Sequence, residues 1–219
     1  MENEKLKVKG ILLDLDGTIV NSKEAYREAI TTAFKKFGQT IVDEEIVMEI
    51  PKRLEQNLPI EEKLKGIGVK NFLRVYLETY YQATITKTKP FPNISETLEK
   101  LSEKAKLALI TMRYVPKETV VHELEKFGIA EYFQSIITAL DTDAPKPSPE
   151  ALIKCAMQLD VKMCDCAVVG DSVADVRAGK NAGIKTVAVL SGIFSRKELQ
   201  KEKPDLILES VSQLPDFIE

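Results

Sequence analysis

Histidine is almost absent from this chain of 219 residues, which holds a single one, His122, and no tryptophan. Ser-His-Asp triads need a histidine in a fixed place, and many zinc sites need several. A site built on a histidine cluster is therefore ruled out. His122 lies within a predicted helix and away from every strand end, so acid–base chemistry is expected to fall to carboxylates.

Other features that the sequence lacks indicate where in the cell the protein is expected to be. The three cysteines, Cys155, Cys164 and Cys166, form no Cys-x-x-Cys pair, and their odd number argues against a disulfide framework. We expect all three to be small buried side chains. No apolar run approaches the roughly 18 residues that a membrane span needs, and the first ten residues lack the apolar region of a secretory signal. These features predict a soluble cytoplasmic protein without a membrane partner.

The chain also lacks a large excess of charge of either sign. Lysine and arginine total 31 against 34 aspartate and glutamate residues, which gives a net charge of −3. Nucleic-acid binding requires a basic surface, and this balance offers none. We therefore expect no nucleic-acid partner.

Short apolar runs alternate with helical patterns through most of the chain. The runs are Gly10–Leu15, Leu107–Thr111, Ser135–Ala139, Cys166–Gly170, Lys185–Leu190 and Asp205–Leu208, and the helical patterns between them are Ile94–Lys104, Pro116–Phe127, Ser148–Leu159 and Val173–Ala182. Continuous apolar strands that alternate with helices predict a parallel sheet covered on both faces, an α/β fold with a Rossmann-like core. Such sheets bind ligands beyond the carboxyl ends of their strands.

One stretch interrupts this alternation directly after the first strand. Residues 20–86 show only helical patterns, at Lys23–Phe37, Asp43–Glu49, Pro59–Lys65 and Val69–Thr84, and a proline-bearing linker follows. We therefore predict an α/β core domain made of residues 1–19 and 87–219, with an inserted all-helical cap domain at 20–86.

Two pairs of aspartates follow predicted strands. Asp14 and Asp16 end the first strand, and residues i and i+2 of a strand point to the same face. Asp171 follows the Cys166–Gly170 strand, and Asp175 lies one helical turn later. A plain turn after a strand and an ordinary helix cap would explain each pair separately. Four carboxylates at one sheet edge, however, would repel one another unless a divalent cation such as Mg²⁺ held them.

Two further residues suit a phosphate ligand. Thr111 closes a strand, where its hydroxyl and the next amide N–H, that of Met112, are placed to bind a phosphoryl oxygen. Lys146 stands between two prolines, which restrict where its ammonium points. Gly17 permits a turn and a close backbone approach to a ligand.

Taken together, these segments resemble a known family. The segments DLDGTIVNS, ITMR, KPSPE and GDSVAD are similar, in order, to the four motifs of the haloacid dehalogenase superfamily, and the resemblance covers nearly the whole chain. The helical insertion resembles the helical cap, called C1, of that family. The stretch from Ser191 to Leu214 resembles its phosphoglycolate phosphatase-like and pyrophosphatase branches.

The resemblance implies a role for each site residue. Asp14 would be the nucleophile that forms an aspartyl-phosphate, and Asp16 the acid and base. Mg²⁺ would be held by Asp14, the main-chain carbonyl of Asp16 and Asp171, with Asp175 supporting them. Thr111, Lys146 and the amides of Gly17 and Met112 would bind the phosphoryl oxygens.

The predicted activity is that of a Mg²⁺-dependent phosphatase for a small phosphorylated metabolite, with 2-phosphoglycolate as the suggested substrate. Members of the family that attack carbon lack the second aspartate of the first motif, so Asp16 favours phosphate chemistry. A phosphotransferase similar to β-phosphoglucomutase and a pyrophosphatase remain alternatives. A catalytically silent regulatory protein is a third, although its first and fourth motifs would be expected to be damaged. The sequence leaves monomer and homodimer equally open.

Overall fold

The structure, a computed structural model, describes residues 5–39 and 42–219. It divides into two compact units, of which the larger takes Met1–Val20 and Pro90–Glu219 and the smaller takes Asn21–Lys89. Across the described ranges, no helix combines the length and apolar character needed to cross a membrane.

The larger unit is built on a six-stranded sheet in which every neighbouring pair is parallel. Its strands are β1 (Gly10–Asp14), β4 (Lys106–Ile110), β5 (Phe133–Ile137), β6 (Cys166–Gly170), β7 (Lys185–Val189) and β8 (Leu206–Leu208), in the spatial order β5-β4-β1-β6-β7-β8. The predicted α/β fold with a parallel sheet is therefore confirmed. All five residues of β1 are buried, as expected of a central strand covered on both faces.

Helices cover both faces of this sheet. They are α4 (Ile94–Ser102), α5 (Lys117–Lys126), α6 (Glu150–Leu159), α7 (Val173–Ala182) and α8 (Arg196–Lys201). Alternate residues of β1 enter different cores: Ile11 and Leu13 pack in one apolar cluster, and Leu12 packs in another with Leu152 of α6. Alternation along the strand thus supplies both cores from one apolar run.

The beginning of α6 differs slightly from the prediction. The sequence pattern predicts a helix from Ser148, but the helix begins at Glu150 and Pro149 holds the cap position. The Ser148 hydroxyl still accepts a hydrogen bond from the Glu150 amide at 3.3 Å. It therefore satisfies one of the exposed N–H groups of the first turn, as a capping side chain does.

The smaller unit is helical. It contains α1 (Lys23–Lys36), α2 (Glu44–Glu55) and α3 (Val69–Lys87), and two-residue strands at its margins, β2 (Val20–Asn21) and β3 (Lys89–Pro90), form a separate sheet. Aromatic rings join α1 to α3: the centroids of Tyr26 and Tyr80 lie 5.0 Å apart, stacked, and those of Phe34 and Phe72 lie 5.1 Å apart, edge to face. Such pairs add to the stability that apolar burial provides.

Two predictions for the helical stretches are wrong. The helix expected to end at Glu49 continues through Pro51 to Glu55, because the burial of Ile50 and Pro51 compensates for the hydrogen bond that proline cannot donate. The stretch from Pro59 to Lys65 contains only a short 3₁₀ turn, Glu61–Lys63, with no buried residue. Ile60 and Leu64, on either side of this turn, are buried, but a segment this short does not form a stable helix on its own.

The cysteines permit a labelling experiment on the native protein. Cys155 and Cys166 are buried, whereas Cys164 is exposed, which corrects the expectation that all three are buried. Burial raises the pKa of the Cys155 thiol to about 12 and that of Cys166 to about 11. Since the thiolate is the reactive form, we expect a disulfide reagent such as DTNB at pH 8 to label Cys164 alone rapidly, and all three thiols after unfolding. Rapid labelling of two or three thiols in the native protein would contradict this assignment.

Candidate active site

The candidate site lies within the larger unit, at the carboxyl ends of three neighbouring strands. Asp14 ends β1, Thr111 directly follows β4, and Asp171 directly follows β6. Because β1 pairs in parallel with both β4 and β6, these residues emerge at the same edge of the sheet.

Three carboxylates come together at this edge. Oxygen atoms of Asp14, Asp171 and Asp175 all lie within 4.8 Å of one another, and the three residues are buried. The sequence predicts four carboxylates at this edge of the sheet, and three of them come together, whereas that of Asp16 is not part of the group. It is turned toward Arg113 instead.

Lys146 neutralises part of this negative charge. Its ammonium lies 2.6 Å from Asp14 Oδ1 and 2.5 Å from Asp175 Oδ1, and its side chain is only 2% exposed. Burial lowers the pKa of Lys146, but the attraction of the two carboxylates outweighs it, so the pKa is raised above its ordinary value. Burial raises the pKa of Asp14 to about 7 against the opposing attraction of Lys146. Lys146 is therefore charged at neutral pH.

Both oxygens of Asp175 have partners within the protein. Oδ1 accepts from Lys146, and Oδ2 accepts from the amide of Ser172 at 3.1 Å and from its hydroxyl at 2.6 Å. The Ser172 hydroxyl in turn accepts from the Asp175 amide, which completes a capping box at the beginning of α7. Asp175 thus fixes the helix end and the position of Lys146.

The Asp171 side chain packs so closely against the backbone at two positions that only glycine fits at either of them. A Cβ atom on Gly17 would stand 2.5 Å from Asp171 Oδ2, and one on Gly192 would stand 1.6 Å from it. Gly17 also has a positive φ of 87°. The Ile193 amide donates to Asp171 Oδ2 at 3.3 Å, so the loop after β7 orients this carboxylate.

The structure does not support one predicted phosphate contact. The Gly17 amide was expected to bind a phosphoryl oxygen, but it donates to the carbonyl of Val20 at 2.8 Å and closes the turn after β1. The Gly17 carbonyl accepts from the Ser191 hydroxyl at 2.6 Å. Gly17 is therefore engaged on both sides, and its contribution is the close approach to Asp171.

Three of the predicted phosphate-binding residues line one small cavity. Thr111, Met112 and Lys146 enclose it, together with residues of the loops that follow β4 and β5. The Thr111 hydroxyl accepts from the Arg113 amide at 3.2 Å. Because it accepts this bond, its own proton can be donated to a ligand.

The sequence did not single out the residue that contacts Asp16. Arg113 places Nε 2.7 Å from Asp16 Oδ2 and Nη2 2.6 Å from Asp16 Oδ1, and its Nη1 is also hydrogen-bonded to Glu123 of α5. The sequence gives little indication of this contact, because an arginine two residues after Thr111 is typical of an ordinary surface residue. The loop from Ser191 to Ile193 also contacts the site, at Gly17 and Asp171, and no motif in the sequence indicates this.

Comparisons with known proteins identify the family of the chain. A family model described as haloacid dehalogenase-like hydrolase matches residues 11–189. The chain is 28% identical over 222 residues to the pyrophosphatase PpaX of Halalkalibacterium halodurans, covering 97% of this chain and 98% of the relative. It is 29% identical over 225 residues to a phosphoglycolate phosphatase of Vibrio parahaemolyticus, covering 96% of each.

A solved structure, described as a predicted phosphoglycolate phosphatase from Haemophilus somnus, matches 96% of this chain and 97% of its own. The TM-score is 0.80 and the sequence identity is 25%. The match of the family model over most of the chain confirms the resemblance inferred from the four motifs. The chain belongs to the family of haloacid dehalogenase-like hydrolases.

Proposed function

We propose that this protein is a Mg²⁺-dependent phosphatase that acts on a small phosphorylated metabolite through an aspartyl-phosphate on Asp14. One observation carries the proposal: a buried carboxylate at the end of the central strand contacts a buried ammonium, beside a cavity lined by Thr111 and Lys146. The names of the relatives, phosphatases in both cases, support the same activity.

Asp14 is proposed as the nucleophile. An oxygen of its carboxylate attacks phosphorus, the bond from phosphorus to the leaving oxygen breaks, and that oxygen takes a proton from Asp16. Water then attacks the phosphorus of the aspartyl-phosphate and gives its proton to Asp16. The bond between phosphorus and Asp14 breaks, which regenerates the carboxylate and releases phosphate.

Lys146 and Thr111 are proposed to hold the phosphoryl group. The ammonium is fixed by two carboxylates and the hydroxyl by the Arg113 amide, so neither has to reorganise when phosphate binds. The Met112 amide would add a third donor beside the same cavity.

The donor atoms fit Mg²⁺, which prefers oxygen ligands and keeps several waters. Asp175 has both oxygens engaged, so Asp14 and Asp171 would supply the carboxylate ligands, and Asp16 its main-chain carbonyl. When bound, the ion would offset the repulsion between the anionic nucleophile and the anionic substrate.

Two substrate classes are supported by specific observations. A phosphoglycolate phosphatase and a pyrophosphatase are both among the relatives, at nearly equal identity. We propose 2-phosphoglycolate first, as the sequence suggested, and pyrophosphate second. A monomer or homodimer in the cytoplasm, with neither nucleic acid nor membrane as partner, stays a prediction.

A substrate panel tests the proposal. We expect purified protein with Mg²⁺ to release phosphate from 2-phosphoglycolate or pyrophosphate, and activity to fall by about 10²-fold or more with EDTA, because a metal contributes several kcal/mol to such reactions. Pyrophosphate is recognised by two phosphates released per molecule. Mg²⁺ alone should also raise the melting temperature, since it binds the folded acidic group.

Two results would contradict the proposal. Interconversion of hexose phosphates primed by a bisphosphate, with no free phosphate, would indicate the phosphotransferase. Absence of turnover across the panel, together with a melting temperature unmoved by Mg²⁺, would favour the silent protein. His122→Asn serves as the matched control: its side chain is 67% exposed on α5, so this variant should keep the activity of the wild type.

A further inference from the structure

A second buried ion cluster stands beside the group that contains Lys146. It consists of Asp16, Arg113 and Glu123, whose side chains are 12%, 4% and 12% exposed. We propose that Arg113 is a positioning residue that holds the Asp16 carboxylate in the orientation in which it takes the proton of the attacking water. The proposal rests on the proposed phosphatase function.

The contact between Arg113 and Asp16 restricts the carboxylate fully. Two nitrogens of one planar guanidinium donate to its two oxygens, at 2.7 Å and 2.6 Å. A single hydrogen bond would leave the carboxylate free to rotate about it, whereas a pair of parallel bonds fixes both its plane and its direction. Lysine in this position would supply the charge without this constraint.

Glu123 fixes the arginine in turn. It accepts from Nη1 of the same guanidinium and belongs to α5, whose residues Val120 and Leu124 are fully buried. The orientation of Asp16 is therefore fixed by a packed helix, α5, as well as by the loop in which Asp16 lies.

The cluster also joins the two loops that carry the chemistry. Asp16 lies two residues after Asp14, and Arg113 two residues after Thr111. Asp14 and Ile110, the residues from which these loops leave, are paired in the sheet. The contact therefore sets the distance between the loop of the nucleophile and the loop of the phosphate ligand.

This geometry favours the second half of the reaction, the hydrolysis of the aspartyl-phosphate. Arg113 donates to both oxygens of the Asp16 carboxylate and so orients the lone pairs that accept a proton. In the hydrolysis of the aspartyl-phosphate, water forms a bond to phosphorus, the bond from phosphorus to Asp14 breaks, and one water proton passes to Asp16. Arg113 is thus placed to support water attack rather than protonation of the leaving group.

The experiment uses 4-nitrophenyl phosphate, whose leaving group needs no acid. With this substrate kcat/KM reports phosphoryl transfer to Asp14, and kcat includes hydrolysis of the intermediate. For Arg113→Lys we expect kcat to fall about 10- to 100-fold, the scale of a misplaced catalytic group, and kcat/KM to change less than about threefold. A burst of one 4-nitrophenolate per chain and phosphorylated Asp14 after acid quench should accompany the loss.

Two further variants keep the test decisive. Glu123→Gln retains a hydrogen-bond acceptor but removes the charge. It should also lower kcat and give a burst, both to a smaller extent than Arg113→Lys, and it tests the proposal even if Arg113→Lys folds poorly. Arg177→Met is the matched control, because Arg177 makes the same two-bonded contact with Glu202 at 2.9 Å and 2.7 Å on the exposed surface. It should show no burst.

A parallel fall of kcat and kcat/KM, or an unchanged kcat, would overturn the proposal. Failure of the proposed function itself has a different signature: the wild type would release no phosphate, and no phosphorylated Asp14 would form in any variant.

Discussion

Replacing Asp14 with asparagine is expected to reduce phosphate release by about 10⁴-fold or more, the scale on which enzymes lose activity with their nucleophile. The amide has nearly the same shape, and its oxygen can still accept from Lys146, which lies 2.6 Å from Oδ1 in the wild type. It cannot form the aspartyl-phosphate. The measurement is phosphate release with Mg²⁺ on the best substrate of the panel, with a search for phosphorylated protein by mass spectrometry.

The same variant should fold at least as well as the wild type without metal. Burial raises the pKa of Asp14 to about 7, so at pH 8 the folded wild type holds Asp14 in its ionised form. A raised pKa means that the folded protein stabilises this form less than the protonated one. Asparagine removes that charge, and we expect an equal or higher melting temperature. Asp165→Asn, which changes an aspartate paired with Lys9 at 3.7 Å, is the control and should keep full activity. Turnover of Asp14→Asn near the wild-type rate would refute the assignment of the nucleophile.

Replacing Lys146 with methionine is expected to lower the free energy of unfolding by roughly 3–5 kcal/mol in metal-free buffer, the cost of leaving a buried charge without its partner. Methionine keeps most of the volume, but Asp14 and Asp175 lose the ammonium that contacts both. Phosphate release should also fall, because the cation beside the cavity is lost. Urea unfolding monitored by circular dichroism gives the stability.

The pH dependence of this loss has a definite sign. Without the ammonium that lowers it, the pKa of Asp14 should rise further above its value in the unfolded chain, so the folded state binds more protons. Stability of Lys146→Met should therefore decrease as the pH rises from about 4 toward 8, and the deficit against the wild type should be smaller at pH 5 than at pH 8.

Lys154→Met provides the comparison for this variant. Lys154 pairs with Glu150 at 2.7 Å, but its side chain is 41% exposed, and such pairs contribute at most about 1 kcal/mol. A loss at Lys146 no larger than the loss at Lys154, or one that grows toward low pH, would contradict the assignment of a buried ion pair.

The sheet could be predicted from the sequence because its central strands are continuous apolar runs up to their carboxyl ends. β1 and β6 are buried at every position, and a run that is apolar on both faces is recognisable without any alternation. β2 and β3 have two residues each, too few for any pattern to show. Helix α2 extends beyond its prediction because packing at Pro51 outweighs a local preference, which no pattern along the chain records.

The site could be predicted only in part for a related reason. Asp14, Thr111 and Asp171 stand at strand ends, so topology alone brings them together. The direction of a side chain is decided by its neighbours in space: Asp16 turns toward Arg113, and the Gly17 amide turns toward Val20. Neither neighbour is identifiable until the loops after β1 and β4 have been placed.

The order of the strands has a consequence for synthesis on the ribosome. β1 is translated first, but its partners β4 and β6 begin only at Lys106 and Cys166, after the whole of the smaller unit has been made. The first strand therefore stays apolar and unpaired until β4 is made, and its other edge stays uncovered until β6 follows. Stretches of this kind are where chaperones bind and aggregates start. The helices of the smaller unit are contiguous in the chain, so α1 and α3 can pack against each other much earlier.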